Sequence, residues 1–158
     1  MSLEIERKFL VSDCSFLRGI EGIECLQGYI PGRTRSAVRV RIKGDRGFLT
    51  LKSATSGLTR SEFEYEIPLQ DARDILDLLC EKPFVEKTRY EVDFCGELWE
   101  IDVFAGQNEG LVLAEIELRS EDQAVAMPPW LGPEVSHDPR YFNSQLARTP
   151  YVQWREQS

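Results

Sequence analysis

Polar and apolar residues alternate along much of this chain, and the polar positions are nearly all ionised. In Glu4-Ile5-Glu6-Arg7-Lys8-Phe9-Leu10, Glu4, Glu6 and Lys8 stand at every second position. Side chains two apart on a strand share a face, so the run predicts a strand with one charged and one mostly apolar face. The alternation is complete in Val38-Arg39-Val40-Arg41-Ile42-Lys43, where three cations face away from three β-branched residues. Thr50 and Lys52 follow in Phe48-Leu49-Thr50-Leu51-Lys52, and three carboxylates in Glu62-Phe63-Glu64-Tyr65-Glu66-Ile67. Lys87-Thr88-Arg89-Tyr90-Glu91, Glu100-Ile101-Asp102 and Ala114-Glu115-Ile116-Glu117-Leu118 continue the pattern.

Turn signals separate these runs. Pro31-Gly32, Gly44-Asp45-Arg46-Gly47, Ser56-Gly57 and the stretch from Gly106 to Gly110 punctuate the chain, and strand-turn-strand spacing predicts antiparallel hairpins. Ala72, Ile75, Leu76 and Leu79 have helical spacing within the run from Asp71 to Cys80, with Pro83 as a stop. Ser120 and Gln123 fit a capping box for a short helix ended by Pro128 and Pro129. Asp138-Pro139 reads as the start of a short C-terminal helix through Leu146. About eight strands and two or three short helices predict a mainly β (α+β) fold, an antiparallel sheet strongly curved or closed into a barrel. The whole chain, residues 1–158, reads as one domain.

Alternation alone leaves two destinations for the charged face: water, as in half-solvated antiparallel sheets, or the inside of a closed barrel. Blocks of one sign such as Arg39-Arg41-Lys43 favour the second, because like charges at adjacent positions of one face repel unless acids or an anion lie opposite. Turned inward, cationic and anionic strands would line a small cavity suited to a polyphosphate with divalent metals. Guanidinium and ammonium groups bind phosphoryl oxygens, and clustered carboxylates hold hard cations.

Composition narrows the class further. With 42% hydrophobic and 29% charged residues the chain is ordinary globular protein, without a run long enough for a membrane helix or a visible secretory signal. The expectation is a cytoplasmic protein with no membrane partner. A net charge of −8 disfavours nucleic acid as a partner. Cys14, Cys25, Cys80 and Cys95 lack metal or redox spacing and are expected to be reduced and mostly buried, and His137 to be a loop residue. Trp99, Trp130 and Trp154 are expected to pack rather than to stack on bases.

The series Glu4-x-Glu6-x-Lys8, Arg39-x-Arg41, Thr50-x-Lys52, Glu62-x-Glu64, Lys87-x-Arg89, Asp102 and Glu115-x-Glu117 resembles, over essentially the whole chain, the signature of the CYTH superfamily, the triphosphate tunnel metalloenzymes. The segment Arg140-Tyr141-Phe142-Asn143-Ser144-Gln145-Leu146-Ala147 is similar to that family's closing helix. The resemblance implies an eight-stranded antiparallel closed β-barrel around a charged tunnel, with short helices outside and at the C-terminus. It implies a metal side formed by Glu4, Glu6, Glu62, Glu64, Glu115 and Glu117, completed by Asp102, and a substrate side formed by Lys8, Arg39, Arg41, Lys52, Lys87 and Arg89. Lys87 and Glu4 are the catalytic candidates, Lys87 as the lysine that orients or activates the attacking water. Glu66, Glu91 and Glu100 are expected at the rim or in structural ion pairs, and Arg7 outside the tunnel. The implied cofactor is Mg2+ or Mn2+, two ions. The implied reaction is hydrolysis of a triphosphate, inorganic tripolyphosphate first and ATP as a further substrate. Class IV adenylyl cyclase, thiamine triphosphatase and a polyphosphate-binding module are the alternatives, and an apolar outer face would allow a homodimer.

Overall fold

The computed structural model describes residues 2–32 and 35–155. Nine strands are β1 (Leu3–Val11), β2 (Ile23–Ile30), β3 (Ala37–Lys43), β4 (Arg46–Lys52), β5 (Thr59–Ile67), β6 (Val85–Phe94), β7 (Glu97–Ala105), β8 (Val112–Glu117) and β9 (Leu131–Glu134). Helix α1 spans Leu69–Leu79 and α2 spans Asn143–Arg148. The sheet runs β5-β4-β3-β2-β6-β7-β8-β1-β9, and β1 also pairs with β5. That second pairing, Leu3 to Ile5 against Ser61 to Thr59, closes the first eight strands into an antiparallel barrel. Further along, the same edge of β1 takes β9 through Phe9 and Val11.

Every strand read from charge alternation is present. The tight turns carry the backbone that two-residue hairpins need: Gly44 has φ +61° between β3 and β4, and Cys95 and Gly96 have φ +52° and +82° between β6 and β7. Cys95 therefore lies exposed on a hairpin tip, and Cys14 is exposed too, so only Cys25 and Cys80 are the buried thiols expected.

Three apolar clusters surround and plug the barrel. Helix α1 lies outside β2, β3 and β4, with Ala72 and Leu76 packed on Val40. Its close approach needs glycine beneath it, since a Cβ on Gly47 would lie 2.7 Å from Ala72 Cβ and one on Gly28 2.9 Å from Leu76 Cδ2. Burial of a side chain such as Leu76 contributes about 2 kcal/mol. Leu79, expected on the buried stripe, is exposed at the last turn instead. A second cluster covers the outer faces of β1, β7 and β8 with Phe9, Trp99, Ile101, Ile116 and Trp130. The third lies inside. Leu10, Tyr29, Val85, Phe104 and Leu113 share the inward parity of the charged residues, and they pack on Tyr141, Leu146, Ala147 and Trp154 of the C-terminal segment. That segment fills one end of the barrel with hydrocarbon. The three tryptophans are thus packing residues.

The helix expected after Ser120 does not form. Ser120 Oγ donates to Asp122 at 2.7 Å rather than capping a turn, and Gln123 Oε1 accepts from the Arg119 amide at 2.6 Å. These local bonds hold the segment in turns. At the other expected start, Asp138 Oδ1 accepts from the Arg140 amide at 3.1 Å, but the single 3₁₀ turn Pro139–Tyr141 ends at Phe142 before α2 begins. No helix among the described residues is long and apolar enough to cross a membrane.

Candidate active site

The inward charged residues line a cavity of about 280 Å³ within the barrel. Its wall includes Glu4, Glu6 and Lys8 of β1, Arg39 and Arg41 of β3, Lys52 of β4, Glu62 and Glu64 of β5, Lys87 and Arg89 of β6, and Glu115 and Glu117 of β8. Twelve of the thirteen expected site residues therefore face one space. Asp102 of β7 is the thirteenth, and it lies behind that wall.

Asp102 is 1% exposed and serves as a buried counter-ion. Arg89 grips it through Nε to Oδ1 at 2.8 Å and Nη2 to Oδ2 at 2.9 Å, and Lys87 Nζ lies 2.9 Å from Oδ2. Burial alone would raise its pKa, but the charges of Arg89 and Lys87 hold it far below the usual carboxylate range. Arg89 also donates to Glu100 at 3.1 Å. Lys87 gives a further bond to Asn143 Oδ1 at 3.0 Å. Its ammonium is drawn down to about 7, because burial and the nearby Arg89 and Arg41 outweigh the pull of Asp102. Burial, with Arg39 and Arg89 close by, brings Arg41 to about 10, which still leaves it charged at neutral pH.

Arg41 Nε donates to Gln27 Oε1 at 2.8 Å. Arg39 Nη2 reaches Thr50 Oγ1 at 3.2 Å and Glu64 Oε2 at 3.4 Å, while its Nε is buried without a partner. Lys8 Nζ donates to the Tyr141 carbonyl at 3.2 Å and lies 3.6 Å from Glu115. Lys8, Arg39, Arg41, Lys87 and Arg89 are thus each held by a fixed partner.

The acids are arranged differently. Strand register sets Glu6 opposite Glu117 and Glu100 opposite Glu115, and like charges directly across a ladder are destabilising. Glu6 is accordingly pushed well above its ordinary pKa by burial and by the charges of Glu115 and Glu4. Glu117 rises for the same kind of reason, burial first and then Glu4 and Glu100. Glu62, half-buried with its carboxyl against that of Glu4, rises to about 7. Glu4 moves the other way: burial raises it, but Glu62, Lys52 and Arg60 together leave it low. Lys52 Nζ lies 2.9 Å from Glu4 Oε2 and 3.1 Å from Glu62 Oε2. It sits off the directions a hydrogen bond needs at Glu4, so both buried Glu4 oxygens lack a directed donor.

Among the described residues no three His, Cys, Asp or Glu side chains form a finished cation cage. The donor set nonetheless fits a hard divalent ion. It is all carboxylate, its like charges are crowded together, and at Glu4 it has unsatisfied buried oxygens, which is the chemistry that magnesium or manganese relieves.

Sequence reasoning overlooked several lining residues. Tyr29 stands on β2, a strand without charge alternation, and Asn143, Phe142 and Ser144 come from the chain entering α2. Arg60, 3.8 Å from Glu4, continues the β5 alternation one step before Glu62 and could have been found from it. Arg7, by contrast, lies outside as expected, paired with Glu134 at 2.7 Å. Glu66 pairs with Arg46 outside the cavity wall, and His137 is an exposed loop residue.

The chain is 48% identical over 156 residues to an inorganic triphosphatase of Acetivibrio thermocellus, with 99% of this chain and 100% of that protein covered. It is 44% identical over 149 residues to an inorganic triphosphatase of Nitrosomonas europaea, covering 91% and 96%. A crystal structure of an inorganic triphosphatase superposes with a TM-score of 0.68 at 39% identity, over 93% of this chain and 95% of that one. The fold alone is shared with a conserved hypothetical protein of Pyrococcus furiosus, TM-score 0.58 at 19% identity, over 75% and 80% of the two chains. Residues 2–149 match the CYTH domain, and with that barrel, that charged interior and those relatives the chain belongs to the CYTH family.

Proposed function

We propose that this protein is a divalent-metal-dependent inorganic triphosphatase that hydrolyses tripolyphosphate to pyrophosphate and phosphate. The observation that carries the proposal is the division of one enclosed cavity into a preorganised cationic wall and a crowded acidic wall. The names of the relatives at 48% and 44% identity support the substrate class.

In this reading Lys8, Arg39, Arg41, Lys52, Lys87 and Arg89 bind the polyanion, with guanidinium forks on phosphoryl oxygens and ammonium groups as point charges. Their fixed partners keep them from reorganising as charge moves to the leaving pyrophosphate. Lys87 Nζ, anchored by Asp102 and Asn143, directs its remaining proton into the cavity. There it orients the water that attacks the terminal phosphorus in line. Glu4, Glu6, Glu62, Glu64, Glu115 and Glu117 hold the metal, and we assign two ions, magnesium or manganese. When bound, the metal neutralises phosphoryl oxygens and lowers the pKa of water. Asp102 is assigned as the anchor of Lys87 and Arg89 rather than as a metal ligand, because both its oxygens are already taken. Residues 1–158 act as one unit, since the cavity wall draws on elements from Glu4 to Ser144.

The test is phosphate and pyrophosphate release from purified protein with tripolyphosphate, ATP and thiamine triphosphate, each with magnesium, manganese or EDTA. Fast metal-dependent cleavage of tripolyphosphate with little turnover of the others is expected. Cyclic AMP as the main product from ATP would keep the site and replace the reaction, and no turnover of any triphosphate would sink the enzymatic reading.

A further inference from the structure

Two neutral amides connect the cationic wall to the C-terminal plug. Asn143, the first residue of α2, presents Oδ1 to Lys87 Nζ at 3.0 Å and to Gln27 Nε2 at 3.3 Å. Gln27, with no exposed surface, presents Oε1 to Arg41 Nε at 2.8 Å and gives its Nε2 also to Tyr29 Oη at 3.0 Å. The orientation of both amides follows from their partners. Lysine and arginine only donate, so each amide must turn its oxygen to the cation, and Gln27 then has only its NH2 left for Asn143 and Tyr29. Strand register supports the first link, since Gln27 and Arg41 are directly opposite across β2 and β3.

The choice of amides has an electrostatic consequence. Asp102 already supplies the carboxylate that anchors Lys87 and Arg89 from below. Glu100 already takes one Arg89 donor at the cavity wall; a carboxylate in place of Asn143 would satisfy Lys87 as well, but it would add a further negative charge against a bound polyanion. An amide oxygen fixes the cation and adds no charge. Arg41 makes its one side-chain hydrogen bond among the described residues through Nε, which leaves both terminal nitrogens to a ligand.

We propose that Asn143 and Gln27 are positioning residues that aim Lys87 and Arg41 at the triphosphate, and that they make the seating of α2 in the barrel end a condition of tight binding. The inference rests on the triphosphatase reading and specifies a part of it that no charged residue supplies. Asn143 belongs to the same short segment as Leu146 and Ala147, which are buried in the plug. Displacement of that segment would therefore withdraw the acceptor from Lys87 and release Gln27 together.

The experiment measures tripolyphosphate affinity by calorimetry in EDTA, and kcat and KM with magnesium, for wild type, Asn143→Ser, Asn143→Asp and Gln27→Met. Loss of an acceptor for a charged donor corresponds to about tenfold weaker binding, so Asn143→Ser and Gln27→Met should each raise the dissociation constant and KM about that much. Asn143→Asp is the discriminating variant. It keeps shape and acceptor, so a purely structural role would leave binding intact, whereas the proposal expects weaker binding with melting within roughly 3 °C of wild type. The relay idea is overturned if wild type binds tightly and all three variants match it within about twofold, less than one ordinary hydrogen bond. Wild type that neither binds tripolyphosphate in EDTA nor turns it over with magnesium would overturn the triphosphatase reading itself, and the proposal with it.

Discussion

The two walls of the cavity treat charge in opposite ways. On the cationic wall Lys87 and Arg89 rest on a fully buried carboxylate, Arg41 on a glutamine, and Lys8 on a backbone carbonyl. On the acidic wall Glu6 faces Glu117, the Glu4 carboxyl lies against that of Glu62, and Lys52 and Arg60 stand beside them. One wall is complete before a ligand arrives, and the other is stored repulsion. The difference indicates where the protein itself supplies preorganisation and where it relies on a cation to finish the site.

The largest expected effect tests the complete wall. Asp102→Asn leaves Lys87 and Arg89 buried over one amide, whose NH2 would meet donors. Removing one member of a buried ionic group costs about 3 kcal/mol or more, a fall in Tm of roughly 6–12 °C for a chain this size. A melting curve in EDTA close to that of wild type would show that the anchor is dispensable. The incomplete wall should behave in reverse. Glu117→Gln removes a repelling acid, so metal-free Tm should hold or rise while kcat/KM with magnesium falls about a hundredfold, the scale of one lost electrostatic contact. Unchanged kcat/KM at saturating metal would remove Glu117 from the site.

The pH dependence sharpens the same contrast. Glu6, Glu62 and Glu117 titrate higher in the folded than in the unfolded chain, Glu62 at about 7. Their contribution is full below the ordinary glutamate range and is lost as pH rises through the folded values, because the native state then holds the extra protons. Glu4, Glu115 and Asp102 shift downward, so they are ionised in both states and add no slope there. Lys87, held near 7, opposes the trend only above neutrality. In EDTA the Tm should therefore fall from about pH 5 to about pH 7, and magnesium should flatten the fall. A flat or rising metal-free profile would contradict the crowding on the acidic wall.

Much of this site was legible because a barrel makes parity decisive: once Glu4, Glu6 and Lys8 point inward, every alternating run must do the same. What the pattern could not show was depth. Asp102 shares the inward parity of Glu100, yet it lies under Lys87 and Arg89 while Glu100 meets the cavity. Parity places a residue on a face but does not say which neighbour will close over it. Gln27 and Asn143 were invisible for another reason. Neutral amides carry no periodic signature, and Asn143 reaches Lys87 only because a segment distant in sequence enters the barrel end. The strand β9 was missed because Leu131-Gly132-Pro133-Glu134 has no alternation, and its pairing is supplied by the free edge of β1.

The smallest expected effect bounds the comparison from outside the barrel. Arg7 lies between Glu6 and Lys8 in sequence but on the opposite face, with Nε and Nη2 on Glu134 at 3.0 and 2.7 Å. Both side chains are partly exposed, so the pair is screened by solvent, and Arg7→Ala should cost under about 1 kcal/mol. Turnover should stay at the wild-type level, because no atom of Arg7 lines the cavity. If Arg7→Ala lowered kcat/KM as much as Glu117→Gln, strand parity would not separate site from scaffold, and the division of the barrel into a charged interior and a structural exterior would fail at its first strand.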